Sequence, residues 1–471
     1  MKYSQSLLMG IFLMSALVIS SCDVLNIDPE QSLDDEMVFT DESAAQSAVI
    51  GMYDGLQEGG AFGGIGIMAA DFPTDVSQFT GSFGTFQNIR DYDPLQATNG
   101  AVEDIWADTY EPINRANNVI HGVEEVPDIT DEQVDQWKGE AKFVRALTYF
   151  HLVRYFGQPY IVDPGNLGVP LMLEPTEEPG EHLNIPRSTV GEVYDQIISD
   201  LNDARGWLGE DQEFDGQATV GAVDALLARV YLHQQDWDSA FDYANSVIED
   251  SPYELSGDPM TPWADHNYNG PEFIFAVQNR TDDQIGVNDA LASFHRPDSE
   301  GGRGDVRAFG RLLDAYEDDD LRLTELFYET DEDAEDGHFF TGKWVHPNQA
   351  DNVPVLRMAD VYLMRAEAAA ELENETQALE DLNAIRARAG ASEYDTDDYA
   401  DEDELIDLIL QERYLELAFE GYRRHDFLRR GDAIQDANQN REIAFGDNRT
   451  IFPIPAREID VNPELEQNDG Y

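Results

Sequence analysis

The segment Ile409-Leu-Gln-Glu-Arg-Tyr-Leu-Glu-Leu-Ala-Phe-Glu-Gly-Tyr-Arg-Arg-His-Asp-Phe-Leu-Arg-Arg-Gly431 constrains the fold more than any other part of the chain. Glu412, Glu416 and Glu420 recur every fourth residue on one helical face, a spacing that repels itself by a few tenths of a kcal/mol per pair unless cations lie among them. Arg413 and Arg424 are spaced to supply that charge, and with Arg423, Arg429 and Arg430 they make the stretch slightly basic in a chain of formal net charge -67. Leu405, Leu408, Ile409, Leu415, Ala418 and Phe419 form one apolar face, and Ile406, Leu410, Tyr414 and Leu417 a second. A helix buried on two sides must pair its carboxylates and guanidinium groups, because one orphaned partner costs several kcal/mol. Glu412, Arg413, Glu416, Glu420 and Arg424 are therefore expected to form a structural ion-pair network within one helical strut over 409–431, not an acid-base site.

Such a strut needs a large core around it, and 471 residues with 42% hydrophobic and 10% aromatic content provide one. Aspartate and glutamate number 96 against 29 basic residues, and lysine occurs only at positions 2, 138, 142 and 343. A surface of that sign repels phosphate backbones and anionic lipid, which argues against nucleic acid. Its self-repulsion is screened in molar salt, where the Debye length falls to about 3 Å, so a halophilic source is expected.

An apolar run from Leu7 to Ile19 follows Lys2. At 1.5 Å per residue it spans only about 20 Å as a helix, too short for a ~30 Å hydrocarbon core, and it reads as a signal peptide over 1–21. Ile19-Ser20-Ser21-Cys22 resembles the lipobox of bacterial lipoproteins, in which the cysteine is lipidated after cleavage. Cys22 is the one cysteine of the chain, so an internal disulfide and a thiolate metal cluster are both excluded. Residues 22–40 read as a lipidated tether before a folded body at 41–471.

Helical periodicity dominates that body. Helices are expected at about 41–56, in two parts of 102–157, across 189–250 and across 355–431, with Asp41 as an N-cap and Asp401 with Glu404 as a capping box. Ala225 to Ile248 and Val361 to Gly390 alternate small and large residues as tetratricopeptide hairpins do. Between the blocks, 57–101, 158–188 and 251–354 are irregular and rich in aromatics, including Phe72, Phe79, Phe83, Trp263, Tyr268, Phe294, Phe339 and Trp344. Long irregular insertions in a compact chain tend to carry function. Residues 432–471 form a C-terminal segment.

Trp106 to Ile120, Glu140 to Pro159, the two hairpins, the 409–431 stretch and the tail from Ile451 to Tyr471 together resemble the SusD/RagB family of outer-membrane nutrient-binding lipoproteins. The tail is the most specific, with Phe-Pro-Ile-Pro, Asn-Pro and a terminal Gln-Asn-Asp-Gly-Tyr. The resemblance implies a mainly α fold of tetratricopeptide-like pairs supporting a loop-rich ligand-binding half with little β structure. It implies a lipid-anchored place on the outer membrane, facing outward, and a SusC-like TonB-dependent barrel to which an oligosaccharide or peptide ligand is delivered. It implies no cofactor and no catalysis.

Sugar capture would need flat aromatic faces and planar polar side chains. Asp71, Phe72, Asp75, Phe79 and Phe83 offer both in one loop, and Trp263, Asp265, Asn267 and Tyr268 in another, with Asp71 and Trp263 the strongest candidates. The same aromatics could instead cap the helical layer as satellite cores. No metalloprotease, nucleophile-elbow, phosphate-loop or dinucleotide motif is present, and the acidic residues of 331–337 miss the spacing of a calcium loop. His425, inside the arginine-rich stretch, reads as a structural histidine. A tetratricopeptide adaptor for a protein partner and a lipid-anchored glycoside hydrolase remain open on sequence alone.

Overall fold

The computed structural model describes residues 39–92, 95–176, 183–265, 267–330 and 338–471. The signal peptide, Cys22, most of the tether and the acidic run 331–337 lie outside the described residues.

The scaffold helices are α1 (Glu42–Asp54), α2 (Gly100–Gly122), α3 (Asp131–Phe156), α4 (Val190–Trp207), α5 (Val220–Gln234), α6 (Trp237–Asp250), α7 (Met358–Glu371), α8 (Glu375–Ala389), α9 (Glu402–Glu416) and α10 (Arg423–Arg430). From α2 to α8 each packs on the next in the chain, and α9 also packs on α7. The helices start where polar caps stand: Asp41 accepts from the Ala44 amide, Thr130 from Gln133, and Thr189 forms a full capping box with Glu192. Asp401 caps the Glu404 amide as expected, but the Glu404 carboxylate reaches the Ala400 amide instead of closing the box. Both tetratricopeptide-like hairpins turn in the same way. A left-handed residue, Gln235 or Glu373, is followed by an Asp236 or Asn374 cap, which lets the second helix fold back at once.

Strand is sparse. The strands are β1 (Ser77–Phe79), β2 (Phe273–Val277), β3 (Val306–Ala308), β4 (Phe327–Tyr328), β5 (Phe340–Thr341), β6 (Val353–Arg357), β7 (Ile434–Asp436) and β8 (Arg441–Ile443). They form four antiparallel pairs, β1–β3, β2–β6, β4–β5 and β7–β8. Among the described residues the fold is thus mainly α, with small sheets in the insertions, at the start of the 355–431 block and in the C-terminal segment. Stretches expected to be irregular hold short helices: Ile65–Asp71 and Gly84–Asp91 in 57–101, and Thr261–Ala264, Leu291–His295, Gly310–Leu313 and Leu321–Leu326 in 251–354. Ile65–Asp71 is buried all round, so it shows no amphipathic period.

The 409–431 strut is not one helix. It breaks after Glu416, turns through Phe419 at φ 67 and Gly421 at φ 79, and resumes as α10 at Arg423. Only glycine suits the second position: a Cβ on Gly421 would stand 2.9 Å from the Ile67 carbonyl oxygen. The carbonyls freed by the break are taken up by side chains of the distant insertions. Lys343 Nζ donates to the Glu416 and Ala418 carbonyls at 2.9 and 3.0 Å, Arg357 Nη2 to Glu416 at 2.9 Å, and Tyr316 to Leu415 at 2.8 Å.

The cations that pair the glutamate ladder also come from elsewhere. Arg322 and Arg386 bind Glu412; Arg322, Arg357 and Arg388 bind Glu416; Arg357 and Lys343 bind Glu420. Glu272 completes the group through Arg357 and Arg388. Arg413 faces the other way, onto Asp360 and Asp426. Arg424 donates to the Arg154 and Thr450 carbonyls and to the Tyr92 hydroxyl. Neither neutralises the ladder: Arg413 lies on the opposite side of α9, and the turn carries Arg424 away with α10. Although burial opposes the shift, the guanidinium groups of Arg388, Arg357 and Arg322 hold the Glu416 carboxyl far below the usual carboxylate range.

Candidate functional site

Two of the insertions, 57–101 and 251–354, meet through β1 and β3. Their register sets Gln78 opposite Arg307, and the Thr80 amide continues the pairing by donating to the Asp305 carbonyl at 2.7 Å. The loop 80–83 is thereby held against 303–305. Phe79 points inward onto Phe72 and Phe86, at ring separations of 4.9 and 5.7 Å. Phe83 is half-buried, its ring resting on Phe86 at 5.3 Å and Phe294 at 6.1 Å. The Arg303 guanidinium lies 4.4 Å from the Phe83 centroid and 5.3 Å from that of Phe294, and Asp305 fixes it through a 2.7 Å ion pair. On the far side of β3, Arg307 contacts the His338 ring and stands 5.9 Å from the Phe340 centroid. Half-buried Tyr328 and Phe339 lie alongside, and the Tyr328 hydroxyl points to Glu300 at 3.4 Å. The result is a surface of partly exposed aromatic rings edged by fixed charged side chains.

A second polar surface lies at the end of β2. The Asn269 and Gln278 amides exchange hydrogen bonds of 3.0 and 2.9 Å, and Asn352 donates to Gln278 at 3.0 Å. Exposed Asn267 donates to the Asn279 and Ala350 carbonyls at 2.7 and 2.9 Å. A cavity of about 230 Å³ opens beside them, walled by Tyr53, Phe214 and Phe275 with Gln57 and Gln278 on its polar side.

The residues singled out from the sequence divide sharply in placement. Phe83, Asp265, Asn267 and Tyr268 reach solvent. Asp71, Phe72, Asp75, Phe79 and Trp263 are buried, which corrects the expectation that they line open ligand loops. Trp263 has the edge of Trp344 at 5.3 Å, Lys343 Nζ at 5.1 Å and the Arg357 guanidinium at 5.9 Å, so its ring is a wall of the ion-pair chamber. Asp71 accepts from the Gly421 amide at 3.0 Å and so holds the turn. Burial pushes its carboxyl up to about 7 against the opposing backbone hydrogen bonds of Gly421 and Arg423. Asp75 binds Arg423 through two hydrogen bonds of 2.8 and 3.0 Å, with the guanidinium between Tyr414 and Phe427. Arg303, Arg307 and Tyr328 were not singled out: each stands alone in an irregular stretch, and β1–β3 pairing is what gathers them. Among the described residues no group of three or more histidines, cysteines and acids is arranged to hold a metal ion. No helix among them is long and apolar enough to cross a membrane.

Comparison with known proteins locates this architecture. A SusD family model matches residues 328–471, and a second model, described as starch-binding and associating with the outer membrane, matches residues 25–232. A SusD-like protein of Formosa agariphila is 25% identical over 99% of this chain and 98% of its own length. The starch-binding protein SusD of Bacteroides thetaiotaomicron is 33% identical over 129 residues, 26% of this chain and 22% of that one. Among solved structures, a SusD superfamily protein of Bacteroides thetaiotaomicron superposes with a TM-score of 0.80 at 27% identity, covering 90% of this chain and 99% of the other. One from Bacteroides fragilis gives 0.81 at 25% identity, covering 91% and 100%. Matches at both ends of the sequence and a shared helical scaffold along nearly its whole length agree: the chain belongs to the SusD/RagB family.

Proposed function

We infer that this protein is a non-catalytic surface lipoprotein that captures oligosaccharides and passes them to a SusC-like TonB-dependent barrel in the outer membrane. The observation that carries the reading is the Phe83 face. Its half-exposed rings suit the apolar C–H faces of a sugar, and Arg303, Asp305, Arg307 and Glu300 suit its hydroxyl groups. A family described as starch-binding and associated with the outer membrane supports the same reading. Asp265, Asn267 and Tyr268, beside the amide-lined surface, extend the ligand path. In this reading Cys22 carries the lipid, the protein faces outward, and peptides are the alternative cargo.

The test is a binding screen in molar salt, by calorimetry, with starch-derived and other oligosaccharides and a peptide panel. Saturable glycan binding without turnover, weakened in Phe83→Ala, is expected. Glycan binding that Phe83→Ala and Arg303→Gln leave untouched would remove the face from the mechanism, and hydrolysis of the ligand would make the protein an enzyme. Fatty-acid labelling that survives Cys22→Ala would remove the anchor. Copurification of a large barrel from the native membrane supports delivery, and its repeated absence counts against it.

A further inference from the structure

Arg154 is set apart from the other arginines of the scaffold interior. Arg145 is paired with Asp200, Arg229 with Asp360, Arg365 with Asp381 and Arg429 with Glu367. Arg187 and Arg424 are instead surrounded by backbone carbonyls. Arg154 has no carboxylate partner among the described residues; its Nε gives a 3.3 Å hydrogen bond to the Phe150 carbonyl and its guanidinium lies 4.5 Å from the Phe150 ring centroid. It stands between two small cavities, each with about 20 Å³ of room, enough for one water-sized species.

Three buried histidines face the same space. His151 is 2% exposed, His425 4% and His233 9%. Neither ring nitrogen of His151 has a hydrogen-bond partner among the described residues, though the Gly60 backbone lies nearby. His151 and His425 line the first cavity with Arg154, and His233 and His425 line the second with it. Burial, with Arg154 adding to it, drives His151 down to about 3 and His233 and His425 well below their ordinary range, so the rings are neutral N–H donors. Arg154 itself, lowered to about 10 by burial and by Arg229, remains charged at neutral pH. The remaining charged groups around the cavities are committed elsewhere. Arg229 is held by Asp360 and Tyr422, Arg429 by Glu367 and Asp426, and both Glu420 oxygens by Lys343 and Arg357.

Arg154 is half-buried, and a cationic side chain withdrawn even partly from solvent without a counter-charge is costly; water in the cavity would solvate it without neutralising it. We propose that the first cavity is a halide site, in which one chloride ion is bound by the Arg154 guanidinium and by N–H groups of His151 and His425. The ion supplies the missing negative charge and gives the unpaired His151 ring an acceptor. A single small monovalent anion fits the volume, whereas a phosphate or carboxylate does not. The inference stands on the cavity and its donors and is independent of the glycan reading.

The direct test is to soak crystals of the full chain, grown in sodium chloride, in sodium bromide and to measure anomalous scattering at the bromine edge. A bromide peak in contact with Arg154 is expected. Bromide at surface positions only, an adventitious ion only, or an unexchanged water beside Arg154 would overturn the assignment. In solution, the melting temperature at fixed molar ionic strength should rise by several degrees from sodium gluconate to sodium chloride, and Arg154→Gln should lose that increment while keeping the general response to salt. An equal increment in wild type and Arg154→Gln would also overturn it. If Arg154→Gln does not fold, the bromide measurement on the wild-type protein decides alone.

Discussion

The Trp344 indole Nε1 donates a 2.9 Å hydrogen bond to the backbone carbonyl of Phe419, 75 residues further along the chain. Both residues are buried, and the Phe419 carbonyl is one of those freed where α9 ends. Trp344→Phe keeps most of the ring volume but strands that carbonyl. A loss of about 1–3 kcal/mol is expected in chemical denaturation at molar salt, the range for an unpaired buried acceptor.

Glu416 receives three guanidinium groups, from Arg322, Arg357 and Arg388. Glu416→Gln leaves them with fewer counter-charges in a buried chamber. The expected cost is about 3–5 kcal/mol, or failure to fold. Wild-type protein should lose this contribution as the pH falls below the ordinary glutamate value of about 4.3, because the folded-state pKa is depressed and the unfolded state takes up the proton first. Acid titration of the melting temperature checks both statements.

Asp71 and Glu140 behave in the opposite sense. Burial pushes each carboxyl up to about 7 in the folded protein. Between about pH 4 and 7 the folded state therefore holds protons that the unfolded state has released, and stability falls as the pH rises through that window. Asp71→Asn should flatten this decline and narrow the deficit at pH 8. Melting curves of the variant that track wild type from pH 5 to 8 would show that Asp71 does not titrate as its burial implies.

Phe83 and Trp263 make a contrasting pair. Phe83→Ala should weaken glycan binding several-fold, in line with about 0.5–1.5 kcal/mol for an aromatic contact, with little change in melting. Trp263→Ala opens a hole beside Trp344 and Lys343 and should destabilise the protein by about 3–5 kcal/mol. Measuring binding and melting for both variants separates ligand contact from core packing.

Salt should govern the fold as a whole. With 96 acidic against 29 basic residues, and many arginines enclosed in ion pairs, the surface charge is largely uncompensated. The melting temperature should fall as sodium chloride is lowered from molar concentration, most steeply below about 0.1 M, where the Debye length exceeds about 10 Å. A melting temperature unchanged across that range would contradict the halophilic reading.

The helical scaffold was legible because its signals are local. Caps at Asp41, Thr130 and Asp236 and a 3.6-residue apolar period lie within each helix. The break at 417–422 was not, since the apolar and charged pattern continues across it and Gly421 is its main local mark. The partners of Glu412, Glu416 and Glu420 come from positions 322 to 388, a pairing that no local window contains. Trp263 and Phe83 both sit in Gly- and Asp-bearing loops, so sequence could not tell a core ring from a surface one. Their difference arises only when β1 meets β3 and Lys343 enters beneath Trp263.

The joint between insertions and scaffold has an evolutionary consequence. On the scaffold side, Glu416, Ala418 and Phe419 take part through peptide oxygens, which every amino acid carries. On the other side, the grip depends on the side chains of Lys343 and Trp344 in the insertion and of Arg357 at the end of β6. At Ala418 and Phe419 the socket therefore asks for no side-chain hydrogen bond, while the Glu416 carboxylate and the gripping side chains are fixed by their partners. An insertion of new length would keep the hydrogen bonds of this joint only if Lys343 and Trp344 were kept with it.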